Sequence, residues 1–211
     1  RPNKFQCSLS RYSFLSSGVV IASGSTDFIL KGSMIVLNSI KEYYINKTYI
    51  IIHMVDIHKT VENIYSENQE NLEIFECKDE FSDTQSFCDH YGYKIEDSCN
   101  AILIKSKKPE EFYALFCVLG VDRLDVNHKG KIVLNSKKLS FASREEAELL
   151  TEQTYGGISP LGLPENIKIY VDKNVMNREK VFIGGGNRVS KFFLSPETLV
   201  KLTNASIEDL T

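Results

Sequence analysis

The chain has 211 residues, with 25 Lys or Arg against 28 Asp or Glu, a net charge of −3 and 42% hydrophobic residues. That is enough apolar material for a real core, and the charge balance by itself demands neither nucleic acid nor a membrane surface. No apolar run approaches the roughly 18 residues of a membrane-spanning helix, and candidates such as 49–52 are strand-sized. The chain begins at Arg1 rather than Met, which reads as a piece of a longer protein, and no signal peptide is evident. Cys7, Cys77, Cys88, Cys99 and Cys117 are odd in number, widely spaced and without a CxxC pair. They read as reduced thiols of a cytoplasmic protein, not as a disulfide framework. Cys88-Asp89-His90 lacks the second ligand pair of a zinc site, so no metal is expected.

Over residues 1–37, short β-branched runs at 19–22, 28–30 and 34–37 are punctuated by Gly18, Gly24 and Gly32. This predicts short strands and turns, or a loosely ordered extension. Val55, Ile57, His58, Val61, Ile64 and Tyr65 fall near helical spacing, which predicts a helix over 56–69. A strand is expected over 72–77. A helix capped by Ser82-Asp83-Thr84 follows; it buries Phe81, Phe87 and Tyr91 and stops at Gly92. Residues 98–105 and 112–120 are apolar enough for central strands, with Tyr113, Leu115, Cys117 and Leu119 on one face of the second. Ser143 with Glu146 three residues on predicts a capping box for a helix over 144–151. Strands are expected over 167–172, 180–184 and 191–194. Ser195-Pro196-Glu197 opens a last helix packed down by Leu199, Leu202 and Ile207. Strands dominate, so the class is α+β with a mixed, barrel-like sheet.

Charge is uneven. Residues 56–97 carry a net of −9 and residues 98–138 a net of +4. The second stretch holds Lys105, Lys107, Lys108, Lys129, Lys131, Lys137 and Lys138, which are either a solvated face or a patch for phosphates. The most distinctive segment is Thr154-Tyr155-Gly156-Gly157-Ile158-Ser159-Pro160-Leu161-Gly162. Adjacent glycines and a nearby proline predict a tight loop with open backbone N–H groups. A second glycine-rich turn follows at Gly184-Gly185-Gly186-Asn187.

The order of these parts resembles the YbaK family, also called the prolyl-tRNA synthetase associated domain. The residues that carry the resemblance are Leu149-Leu150-Thr151, Gly156-Gly157-Ile158-Ser159-Pro160-Leu161-Gly162 and the closing Leu194-Ser195-Pro196-Glu197-Thr198-Leu199. It covers about 72–211, which makes 56–211 a YbaK-like editing domain and 1–55 an extension of unassigned role. The resemblance implies an aminoacyl-tRNA deacylase acting on a mischarged tRNA for proline, with Ala the expected error, attached to a prolyl-tRNA synthetase. It implies the tRNA 3′ end as partner, no cofactor for the editing domain, and ATP only for a fused synthetase body. Gly156, Gly157, Ile158, Ser159 and Pro160 would form the loop that holds the ester, with water as nucleophile. Ser159 is read as a loop residue that bonds the backbone. Lys105, Lys107, Lys108, Asn187 and Arg188 are the expected tRNA contacts.

Three positions depart from the family pattern. Asn100 stands where the family has a lysine that meets the tRNA end, and it brings donors without charge. Lys105, five positions along the strand, points to the opposite face. Gly184 stands where a polar side chain is common, and Lys191 where an acid is frequent. Two expectations therefore stand side by side: an editing hydrolase that works through the loop backbone, and a catalytically silent tRNA-binding or interaction appendage.

Overall fold

In the computed structural model, the described residues are 55–211 and, among the first 54, four strands: β1 (Val19–Ile21), β2 (Ile35–Leu37), β3 (Ile40–Ile45) and β4 (Thr48–His53). The chain divides into two compact units, Arg1–Asp56 and Ile57–Thr211. In the first, the strands form an antiparallel sheet in the order β1-β4-β3-β2. The runs expected at 19–22 and 34–37 correspond to β1 and β2, while the one at 28–30 lies outside the described residues.

The second unit carries α1 (Lys59–Glu67), β5 (Glu73–Glu76), α2 (Thr84–Tyr91), β6 (Cys99–Lys108), β7 (Phe112–Leu119), α3 (Lys129–Val133), β8 (Lys138–Phe141), α4 (Arg144–Thr151), β9 (Lys168–Asp172), β10 (Val181–Gly184), β11 (Ser190–Leu194), α5 (Pro196–Thr203) and β12 (Ser206–Glu208). A five-stranded mixed sheet runs β12-β9-β7-β6-β8, and a three-stranded antiparallel sheet runs β10-β11-β5. A single parallel bridge, Ser98 to Phe182, joins the entry of β6 to β10. The α+β class holds, but neither sheet closes into a barrel.

Local chemistry explains most boundaries. α1 starts at Lys59 rather than 56 because His58, not Asp56, is the cap, its Nδ1 accepting from the Thr60 N–H. Asp83 caps α2 through the Ser86 N–H, and Gly92 ends it at φ 77°, a left-handed conformation that suits a residue without Cβ. Ser143 and Glu146 form the full capping box of α4. Ser195 caps α5, with Pro196 in its first turn.

Two apolar clusters cover opposite faces of the large sheet. Cys99, Leu103, Leu115, Cys117, Leu119, Ile169 and Val171 pack with Val61, Leu199, Ile183 and Phe192. Ile104, Ala114, Phe116 and Val118 face Leu134 and Leu210 instead. A third cluster, built from Phe87, Cys88, Phe182, Phe193 and Cys77, lies between α2 and the small sheet. Phe81 and Tyr91 are only half-buried around it, and Ile207, which had been expected to hold down the last helix, is exposed.

Phe87 is the hub of this third cluster. Its ring centroid lies 5.6 Å from Phe75, 5.2 Å from Tyr93 and 5.1 Å from Phe182, and it is fully buried. Phe87→Ala is expected to cost about 3–5 kcal/mol, read as a lowered denaturant midpoint with an unchanged slope.

Candidate functional site

Two glycine turns lock together by backbone alone. The Thr154 N–H donates to the Gly186 carbonyl at 2.9 Å, the Gly186 N–H to the Gly157 carbonyl at 2.8 Å, and the Gly157 N–H to the Thr154 carbonyl at 3.0 Å. The approach is so close that a Cβ on Gly157 would sit 1.9 Å from the Asn187 carbonyl oxygen, and one on Gly184 would sit 2.5 Å from the Gly157 and Ile158 oxygens. Glycine is therefore needed here for turn-to-turn packing, where the sequence alone predicted a tight loop with open backbone N–H groups. The same contact explains Gly184, whose place a polar side chain would have been expected to fill.

Gln153, which the sequence reading passed over, braces the loop from beneath. It is 2% exposed. Its Oε1 accepts from the Ser159 N–H at 2.6 Å, and its Nε2 donates to the Leu161 carbonyl at 2.8 Å and to Thr60 Oγ1 at 3.0 Å. Ser159 is fully buried, and its hydroxyl accepts from the Leu161 N–H at 3.1 Å, the backbone-bonding role read from the sequence. Pro160 is buried beside it. With Gly157 and Ser159 engaged and Pro160 lacking an N–H, the N–H groups of Gly156 and Ile158 are the ones with no partner among the described residues.

Above this loop lies a cavity of about 330 Å³, toward the small end of ligand pockets. Its walls come from Ser98 and the first half of β6 (Asn100, Leu103), the end of β10 (Ile183, Gly184), Thr84 of α2, Ala147 of α4, the loop residues Gly156, Gly157 and Ile158, and Lys191 of β11. Phe141 and Tyr155 also line it, and both rings are exposed. The Arg144 guanidinium lies 5.9 Å from the Tyr155 ring. Asn100 is fixed in orientation, since Thr84 Oγ1 at 2.9 Å and Ser98 Oγ at 2.8 Å both donate to its Oδ1. That leaves the amide N–H₂ as its remaining polar group.

The structure thus brings Asn100, Gly156, Gly157 and Ile158 to one cavity, with Ser159 and Pro160 behind it. Arg188 stands at the loop, its Nη1 2.7 Å from where a Gly156 Cβ would be, and its Nε bonds the Asp79 carboxylate. Asn187 is buried in the second turn, its Oδ1 accepting from the Val189 N–H and Ser190 Oγ. Lys107 and Lys108 are exposed and outside the cavity. Lys105 is also outside it, held by Glu146 at 2.8 Å and Glu111 at 3.0 Å. His90, from the one ligand-like cluster in the sequence, stacks on Phe81 with ring centroids 3.7 Å apart.

Glu146 joins three elements. It receives Lys105 Nζ from β6, the Tyr113 hydroxyl from β7 and the Ser143 N–H of its own helix cap. The Lys105 hydrogen bond is the largest influence, ahead of the Ser143 N–H and Tyr113, and together they hold the carboxyl down to about 2. The same partner pushes Lys105 up.

The aminoacyl-tRNA editing domain family matches residues 79–202, more than half of the chain. A candidate Cys-tRNA(Pro)/Cys-tRNA(Cys) deacylase, EbsC of Enterococcus faecalis, is 26% identical over 92 residues, which is 44% of this chain and 56% of that protein. The chain therefore spans little more than half the length of that relative. Among solved structures, a candidate trans-editing enzyme for prolyl tRNA synthetase superposes with a TM-score of 0.63 at 22% identity, over 74% of this chain and 99% of the other. The hypothetical protein APE2540 does so with a TM-score of 0.65 at 22% identity, over 72% and 99%. At that identity the two structures establish the fold.

Two outcomes follow from the geometry. Gly157→Ala forces a Cβ into a backbone carbonyl that has no flexible end to yield, so a loss of about 1–3 kcal/mol or more is expected, measured by thermal melting. The Glu146 contribution to stability is present above the ordinary carboxyl value of 4.5 and is lost as pH falls toward 2. Glu146→Gln should therefore flatten the acid side of the stability curve between those values, leaving a shallower decline due to other carboxylates.

Proposed function

This chain belongs to the aminoacyl-tRNA editing domain family, and we propose that it is a deacylase that hydrolyses Ala-tRNA for proline as an attached part of a prolyl-tRNA synthetase. The observation that carries this reading is the pair of backbone N–H groups, Gly156 and Ile158, that have no partner among the described residues, in a braced loop beside a small cavity. Fixed donors of that kind suit the oxygen of an ester carbonyl as it gains charge, because they need no reorganisation during the reaction. Among the described residues that line the cavity there is no Asp, Glu or His. With no acid or imidazole there to activate the buried Cys99 thiol, water is the nucleophile in this reading, with the ribose hydroxyl beside the ester as the available proton partner. Water oxygen adds to the carbonyl carbon and the bond to the ribose oxygen breaks. The amino acid leaves as its carboxylate, and the tRNA recovers its hydroxyl.

The need for such a site is physical. A pocket shaped for proline discriminates against a smaller amino acid by only about 1–3 kcal/mol per missing methylene. A cavity at the small end of the range can take alanine in a second sieve. The exposed Phe141 and Tyr155 rings at the cavity, with Arg144 and Arg188 close by, suit an unpaired 3′ end whose bases stack on aromatic faces. Lys107 and Lys108, outside the cavity, are offered as contacts to the tRNA backbone. Residues 1–55 form the extension and 56–211 the editing domain, which works in the cytoplasm and needs no cofactor. The uncharged Asn100 favours one other reading, a silent tRNA-binding appendage.

Deacylation of Ala-tRNA for proline decides between them. The wild-type chain should hydrolyse the ester. Gly156→Ala should lower the rate roughly 100-fold, because it strains a residue at φ 85° and displaces Arg188. Wild-type protein that binds the tRNA yet leaves Ala, Cys and Ser esters intact would establish the appendage instead.

A further inference from the structure

Lys191 is the most unusual residue of the fold. It lies on β11 in register between Gly184 of β10 and Phe75 of β5, where its neighbours Phe193 and Phe182 pack under α2. A lysine in such a place is rarely buried unless paired, yet it is 5% exposed and has no carboxylate in salt-bridge range among the described residues. Its Nζ donates to the Ser82 carbonyl at 2.6 Å and sits 5.7 Å from the Phe87 ring centroid. One N–H is thereby satisfied, and the ammonium has two more to give. The hydroxyl of Ser82, also buried, has no partner among the described residues.

The lysine also lines the cavity, and among the described lining residues it carries the single formal charge. The residue opposite it across the β10–β11 ladder is Gly184, so no side chain stands directly across from it. Asn100, with both Oδ1 bonds already taken, adds a neutral N–H₂ to the same wall. The wall is therefore rich in donors, positive and free of acids, and it favours an anionic oxygen over the ammonium of a free or esterified amino acid.

We infer that Lys191 is the substrate-binding cation of this cavity and takes a phosphate oxygen of the 3′-terminal nucleotide. The inference rests on the reading of the cavity as an aminoacyl-tRNA site. The terminal nucleotide is the part of that substrate that brings an anion next to the ester, and a charge-assisted hydrogen bond in a desolvated wall is strong and directional. The groups that face the ammonium are Asp83 at the cap of α2, Cys88 on α2, Cys77 after β5 and Arg188 before β11. Burial is the largest influence on Lys191 and moves it down from its ordinary value, with Cys77 and Asp83 opposing. A phosphate would hold it charged.

The test compares binding of 5′-AMP with binding of adenosine, by titration followed in NMR spectra, for wild type, Lys191→Met and Lys191→Arg. Wild type should prefer the phosphate-bearing ligand roughly 10- to 100-fold. Lys191→Met should remove that preference while leaving adenosine binding in place, and Lys191→Arg should keep a measurable part of it. Thermal melts accompany each variant; Met is apolar and of similar length, so it is expected to fold under Phe87. Equal affinity for the two ligands in wild type, or an unchanged preference in Lys191→Met, overturns the inference whatever the deacylation assay shows. A Lys191-dependent preference in a protein that does not deacylate supports the phosphate site and removes only the hydrolase reading.

Discussion

Two glycine turns pressed backbone to backbone are the constraint on which the site depends. The reciprocal bonds between Thr154, Gly157 and Gly186 leave no space for a Cβ at Gly157 or Gly184. Backbone groups buried in such a contact must find partners, and here they find each other. The consequence is selective: some loop N–H groups are consumed in holding the loop, and those of Gly156 and Ile158 remain. Gln153 makes the choice permanent, since its buried amide satisfies Ser159 and Leu161 from below.

The cavity walls are set by interactions at a distance from it. Glu146 ties α4 to β6 and β7 through Lys105 and Tyr113 while capping its own helix. This holds Ala147 and the start of the glycine loop against the large sheet. On the other side, the aromatic cluster around Phe87 seats α2 on β10 and β11. That seating brings Thr84 to Asn100 and Ser82 to Lys191. The large sheet, the small sheet and two helices each lend an edge, so the cavity exists only where all four meet.

Electrostatics divides the lysines into two kinds. Lys105 belongs to the basic stretch offered for phosphates, and its ammonium is paired with Glu146 and Glu111. Lys191, in a strand that reads as core, is buried without a carboxylate partner among the described residues. The first kind is a part-buried, hydrogen-bonded pair whose charge is spent on tying α4 to the sheet. A buried ammonium of the second kind is costly, and here it stands in the wall of a cavity.

Much of this protein is legible along the chain. Caps at Asp83, Ser143 and Ser195, the stop at Gly92, the faces of β7 and the glycine loop itself follow from rules that act within a few residues. The family and the α+β class followed from the order of those local signals. Register and packing across the fold were not legible. His58 rather than Asp56 caps α1, the sheets stay open, and Gln153 turns inward to staple the loop. The sequence marks Lys191 only as a departure from the family pattern, not as a cavity residue; its neighbours there, Gly184, Thr84 and Asn100, are separated from it by 7 to 107 positions. Local propensity determines which segments fold and where they stop. Which lysine is paired, which is buried and which N–H groups stay open depends on distant strands meeting, and only the tertiary structure decides that.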